Sequence, residues 1–151
     1  MDLDVMLADA KLQVIDEALA GLERSHVAHY EAAGERLTRQ RLADLFDLVV
    51  VAIHDRDLSP VGAYAEQVAT ARFEAGFDVS DVQTAFNALE ESMWRQVVAA
   101  QPPADLAEAI GLLSTVLGFG KDALARTYVS LACQRHVPTL DLSALFRGTN
   151  S

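Results

Sequence analysis

Residues 48–53 read Leu-Val-Val-Val-Ala-Ile, and this stretch decides the fold. Val49, Val50, Val51 and Ile53 are β-branched, which by local propensity favours a buried strand. The approach from upstream points the other way. Leu37, Leu42, Leu45, Phe46 and Val49 recur at the spacing of one helical face and run directly into the apolar stretch. No other segment offers a partner strand. Residues 48–53 are therefore read as the end of a helix that turns apolar on nearly all sides. Such a helix expects cover on both flanks and belongs at the centre of an all-α bundle.

Working downstream, Asp57-Leu58-Ser59-Pro60 breaks the chain and opens the next helix, with Ser59 the expected N-cap and Pro60 at the first helical position. Its stripe is Val61, Tyr64, Ala65, Val68 and Arg72, and Gly76 supplies the left-handed residue that ends it. Asp78 then caps a helix whose face is Val82, Phe86, Leu89, Met93 and Val97, with Phe77 and Val82 at the two positions of a hydrophobic staple. Pro102-Pro103 stops it. The last helix runs from about Ala104 to His136, roughly 50 Å at 1.5 Å per residue. Its stripe of Leu106, Ile110, Leu113, Leu117, Gly120, Leu124, Thr127 and Leu131 alternates steps of four and three. Upstream of the deciding stretch, Leu7, Leu12, Ile15, Leu19 and Leu22 predict one amphipathic helix. The pattern gives a bundle of about five to six helices with a long C-terminal helix. Residues 1–138 form the domain, and 139–151 form a short tail with one amphipathic turn from Leu142, Leu145 and Phe146.

The long helix also carries Gly111, Gly118, Ala125 and Ala132 at intervals of seven. Each glycine inside a helix costs up to about 1 kcal/mol against alanine, so the row needs a packing reason. Small residues in line let another backbone approach closely. A homodimer is expected, with Gly111, Gly118 and Ala125 permitting the approach and Leu113, Leu117 and Leu124 giving apolar burial.

The 151 residues suffice for one domain, and 51% apolar against 23% charged is a globular composition. The net charge of −10 argues against nucleic acid and against an anionic membrane surface. The first 35 residues hold eight acids and two bases, which reads as a solvated acidic face. They lack the basic start of a secretory signal, and no apolar run reaches membrane-span length. One cysteine, Cys133, excludes an intrachain disulfide and suits a reducing cytoplasm. It is expected to be a buried structural thiol.

Little in the sequence looks like catalysis. Glu23, His26 and His29 share one helical face in the manner of a carboxylate-bridged dimetal bundle. That chemistry needs a second copy of the motif, and Glu90-Glu91 has no histidine beside it. A polar helix face is the simpler reading, and no metal site is expected. His54 closes the apolar run beside Asp55 and Arg56, as a helix-end cation or proton-sensitive contact. Gly118-Phe119-Gly120-Lys121 has the look of a phosphate loop, yet it lies within a helical pattern and lacks the preceding strand. A small-ligand sensor is the alternative to a protein-docking role. Its internal pocket would be lined by Phe46, Val50, Tyr64, Phe86 and Trp94.

The stretch from Arg72 to Val82, Arg-Phe-Glu-Ala-Gly-Phe-Asp-Val-Ser-Asp-Val, is followed by Ala85-Phe86 and Trp94. It resembles the N-terminal sensory domain of RsbR-type stressosome proteins, over roughly Leu37–Leu131. The resemblance implies a globin-like helical fold that binds no haem, forms a dimer and passes a signal to an attached domain. His54 is the one histidine abutting a strongly apolar segment, and no cofactor is expected. The chain ends at Ser151, soon after Pro138, so a free-standing sensor or docking regulator is expected in place of direct transmission. The combined expectation is a cytoplasmic, non-enzymatic regulatory module that forms a homodimer and docks on a regulatory protein partner.

Overall fold

Leu48–Ile53 is helical. In the computed structural model, which describes residues 2–24 and 34–136, six helices follow one another. They are α1 (Leu3–Asp9), α2 (Lys11–Arg24), α3 (Glu35–Asp55), α4 (Ser59–Glu74), α5 (Val79–Ala100) and α6 (Pro103–His136). There is no strand among the described residues. α3 touches all five other helices. Leu42, Leu45, Phe46, Val49, Ala52 and Ile53 are buried on it, while Val51 faces out. The β-branched run is helical because burial on several sides outweighs a propensity difference of a few tenths of a kcal/mol per residue.

Expectations change at two helix starts. The first amphipathic stretch is two helices, divided at Ala10, whose N–H turns back to the Leu7 carbonyl. The break resets the helical phase, so Leu12 is 75% exposed while Met6, Leu7, Val14, Ile15, Ala18, Leu19 and Leu22 are buried. At the start of α4 the capping acceptor is Asp57, not Ser59: the Asp57 carboxylate accepts the Ser59 N–H at 3.0 Å. That bond holds the Asp57 carboxyl below its ordinary pKa.

α4 and α6 make the most extensive pairing, and two glycines set it. A Cβ on Gly120 would lie 3.1 Å from Val61 Cγ1 and 3.2 Å from Phe86 Cε2. A Cβ on Gly62 would lie 2.7 Å from Phe119 Cε1. Gly120 thus has its packing reason inside the chain. Gly111 and Gly118 have none among the described residues, where nothing stands within 4 Å of a Cβ at either. α2 and α5 are joined through a buried polar tie: the Ser92 hydroxyl donates to the Val14 carbonyl at 2.8 Å. Lys121, from the discarded phosphate-loop pattern, extends from α6 to Glu90 Oε2 at 3.0 Å and Asn87 Oδ1 at 3.1 Å on α5.

Cys133 is exposed, against the expectation of a buried thiol. It follows the core-facing Tyr128 by five positions, which at 3.6 residues per turn places it about 140° round the helix. His26, His29 and the tail 139–151 lie outside the described residues.

Candidate functional site

The chain reversal between α4 and α5 is built from the motif that carried the resemblance. Gly76 takes φ +86°, and its N–H donates to the Phe73 carbonyl at 3.1 Å. The Phe77 N–H donates to the Arg72 carbonyl at 3.0 Å. This pair of bonds is the Schellman closure of a helix end. It returns Phe77 over α4, where the Arg72 guanidinium carbon lies 4.3 Å from the ring centroid. The apolar contact usual at that closure is replaced by a cation–π contact. Asp78 then caps α5, its carboxylate accepting the Ser80 N–H at 3.1 Å. Tyr128 of α6 locks the turn from behind. Its hydroxyl donates to the Phe77 carbonyl at 3.2 Å, and its ring meets Phe73 edge-on at 5.7 Å.

In front of this turn lies a cavity of about 80 Å³. α2 contributes Leu22; α3 contributes Thr38, Arg41, Leu42 and Leu45; α4 contributes Tyr64, Val68 and Arg72. Phe77 of the turn and Asp81, Val82, Ala85 and Phe86 of α5 close it. The lining is mostly hydrocarbon, yet it contains two arginines. Arg72 is 9% exposed. Arg41 Nη1 is buried and has no hydrogen-bond partner among the described residues. Burial lowers the Arg41 pKa, with the neighbouring Tyr64 phenol acting in the opposite direction. Tyr64 donates its hydroxyl to the Arg41 backbone carbonyl at 3.1 Å. Burial, with Asp44 adding to it and Arg41 opposing, pushes the Tyr64 phenol up to about 12.

The five residues expected to line a pocket separate. Tyr64 and Phe86 line this cavity. Phe46 is 1% exposed within the core, Val50 is partly buried against it, and Trp94 is 43% exposed. Arg41 was not singled out from the sequence, although a signal was there: it sits four positions from both Leu37 and Leu45, on the apolar side of α3.

The long helix places its marked residues on different sides. Leu113, Leu117 and Leu124 are each 0% exposed within the chain's own core. Gly111 is exposed, and Gly118 and Ala125 are partly exposed, so these are the members of the group that a second chain can reach. Val129 continues their face, 63% exposed. Between Gly111 and Cys133 the exposed charges on α6 are Asp122 and Arg126, which pair with each other at 3.2 Å.

A second, polar depression of about 400 Å³ lies among Asp2, Asp4, His54, Arg56, Asp105 and Glu108. There His54 Nδ1 is 2.8 Å from Asp4 Oδ2, and this bond is the main reason the Asp4 carboxyl lies below its ordinary pKa. The His54 side chain is 70% exposed, turned away from the apolar segment it follows. Glu23 is exposed at the end of α2. Among the described residues, no three His, Cys, Asp or Glu side chains gather as a metal site, and no helix is long and apolar enough to cross a membrane.

No curated protein and no solved structure matches the chain. A family model does, over residues 7–137, which includes α2 to α6, the capped reversal and all the named residues that line the cavity. That match, with the six-helix bundle, makes the chain a member of the RsbT co-antagonist protein rsbRD N-terminal domain family, a stress-signalling regulatory domain.

Proposed function

We propose that this domain is a non-enzymatic docking module that works as a homodimer through the outer face of α6. The observation that carries this reading is the row Gly111, Gly118 and Ala125. Open space stands over both glycines, although each weakens its helix by up to about 1 kcal/mol. Nothing among the described residues compensates that cost, whereas a second backbone seated on the row would. The charge pattern supports a second copy as the occupant. A chain of net −10 repels itself over most of its surface, and this face offers Val129, small side chains and one self-cancelling ion pair. The remaining acidic surface is left for a regulatory protein partner in the cytoplasm.

The test is the mass of the chain in solution by light scattering, for the native sequence and for Gly118→Leu. The native chain is expected as a dimer and the variant as a folded monomer. A native monomer, or a variant dimer of unchanged stability, refutes the reading.

A second reading is favoured by the cavity beneath Phe77: the domain responds to a small molecule bound there. Tyr64 and Phe86, both anticipated as pocket residues, support it.

A further inference from the structure

We infer that the cavity between α3, α4 and α5 takes a small organic acid, an apolar body bearing one carboxylate, with Arg41 as its counter-ion. This rests on the reading of the cavity as a ligand site and names the chemistry of the ligand.

The first observation is the unpartnered Arg41 Nη1. A buried donor on a charged group is costly to leave unsatisfied, and nearly all such groups in folded proteins find a partner. No side chain among the described residues supplies one. Arg41 lines the cavity, so a bound anion is the partner the site lacks. The second observation is the charge of the lining. Among the described residues that line it, Arg41 and Arg72 face one carboxylate, Asp81, which leaves a single positive charge in excess. Arg72 stacks on the Phe77 ring, and the buried nitrogen that lacks a partner among the described residues belongs to Arg41. One excess charge suits a monoanion. The planar fork of a guanidinium matches a carboxylate in two parallel hydrogen bonds.

The third observation is the rest of the wall. Leu42, Leu45, Val68, Val82, Ala85 and Phe86 present hydrocarbon, which rewards an apolar body and penalises a fully hydrated anion such as phosphate. The volume of about 80 Å³ is several times the roughly 10–15 Å³ that one water needs, and holds a ring or a short chain but not a long acyl tail. The Tyr64 hydroxyl is committed to the Arg41 carbonyl, which fixes the backbone from which the guanidinium projects.

The experiment is calorimetric titration of the full chain at fixed ionic strength with benzoate, with benzamide as its neutral counterpart, and with inorganic phosphate. Benzoate is expected to bind at least tenfold more tightly than benzamide, and phosphate is expected not to displace it. Arg41→Met should abolish the preference for benzoate, and Arg41→Lys should retain part of it. Circular dichroism of the unliganded Arg41→Met chain should show full helicity and a melting temperature no lower than native, because an unpaired donor has been removed. If benzamide binds as well as benzoate, the cavity is a ligand site and the role of Arg41 is refuted. If phosphate competes on equal terms, the site is a simple anion site and the proposal fails. If neither aromatic probe binds at millimolar concentration, both the proposal and the reading of the cavity fail.

Discussion

Gly118 and Gly120 stand two residues apart in one helix, and replacing each by alanine separates packing from propensity. In both variants α6 gains the same intrinsic preference, up to about 1 kcal/mol. At position 118 the new methyl group meets nothing within 4 Å among the described residues, so within one chain the gain is expected undiminished, and any cost to subunit association appears as a dependence on protein concentration. At position 120 it arrives 3.1 Å from Val61 Cγ1 and 3.2 Å from Phe86 Cε2. Val61, 0% exposed and away from the cavity, has little room to retreat, whereas Phe86 borders the cavity. Overpacking of this kind costs about 1–3 kcal/mol, and because propensity cancels, that is the expected difference between the two variants. At about 2–4 °C per kcal/mol for a domain of this size, Gly120→Ala should melt several degrees below Gly118→Ala. The assay is thermal unfolding followed by circular dichroism at several protein concentrations, so that any contribution from subunit association, which varies with concentration, is separated. Equal melting temperatures, or a more stable Gly120→Ala, would refute the assignment of Gly120 to the α4–α6 contact.

Two further outcomes are expected. Asp78→Ala removes the acceptor for the Ser80 N–H and should cost about 1 kcal/mol in urea unfolding, with the α4–α5 turn otherwise retained; an unchanged midpoint counts against the cap. Tyr64 and Tyr128 are both pushed up to about 12, chiefly by burial, whereas an unfolded tyrosine ionises near 10. Between these values the unfolded chain loses phenolic protons that the folded chain keeps, so their stabilisation is full below pH 10 and is lost as pH rises towards 12. Phenolate absorbance should show both tyrosines titrating late in the native chain, and Tyr64→Phe should flatten the decline of stability in that window.

The fold was legible where one signal dominated its neighbourhood. The helical stripe entering Leu48–Ile53 outweighed the β-branched composition, because period extends over many residues and propensity acts one residue at a time. Gly76, Phe77 and Asp78 were readable as a helix end, a staple and a cap, since each follows from backbone conformation or a local hydrogen bond. The break at Ala10 was not readable. No glycine or proline marks it, and it is α1 lying against α3, with Asp4 on His54, that turns the chain there. For the same reason Leu12 was placed inside. The glycines of α6 had to be told apart by their neighbours: Gly120 meets α4 and α5, whereas Gly111 and Gly118 meet nothing. Gly62, their counterpart on α4, gave no signal, because a close approach is a property of two helices. The cavity was half legible. Aromatic residues near mid-chain suggested Tyr64 and Phe86, but an unpartnered guanidinium is recognised only once the surrounding atoms are placed.

The length of α6 has a mechanical consequence. Its tightest fixed point is the glycine contact at Gly120, and its last fully core-facing residue is Tyr128. From Gly120 to His136 the helix projects about 24 Å at 1.5 Å per residue, so a tilt of about 5° about the contact sweeps its far end through about 2 Å. Tyr128, which sets that tilt, is bonded to the Phe77 carbonyl, and Phe77 is a wall of the cavity. α6 is thereby a lever: Tyr128 stands about 12 Å along the helix from Gly120 at the same rise, so a displacement at the Phe77 turn is about doubled at His136.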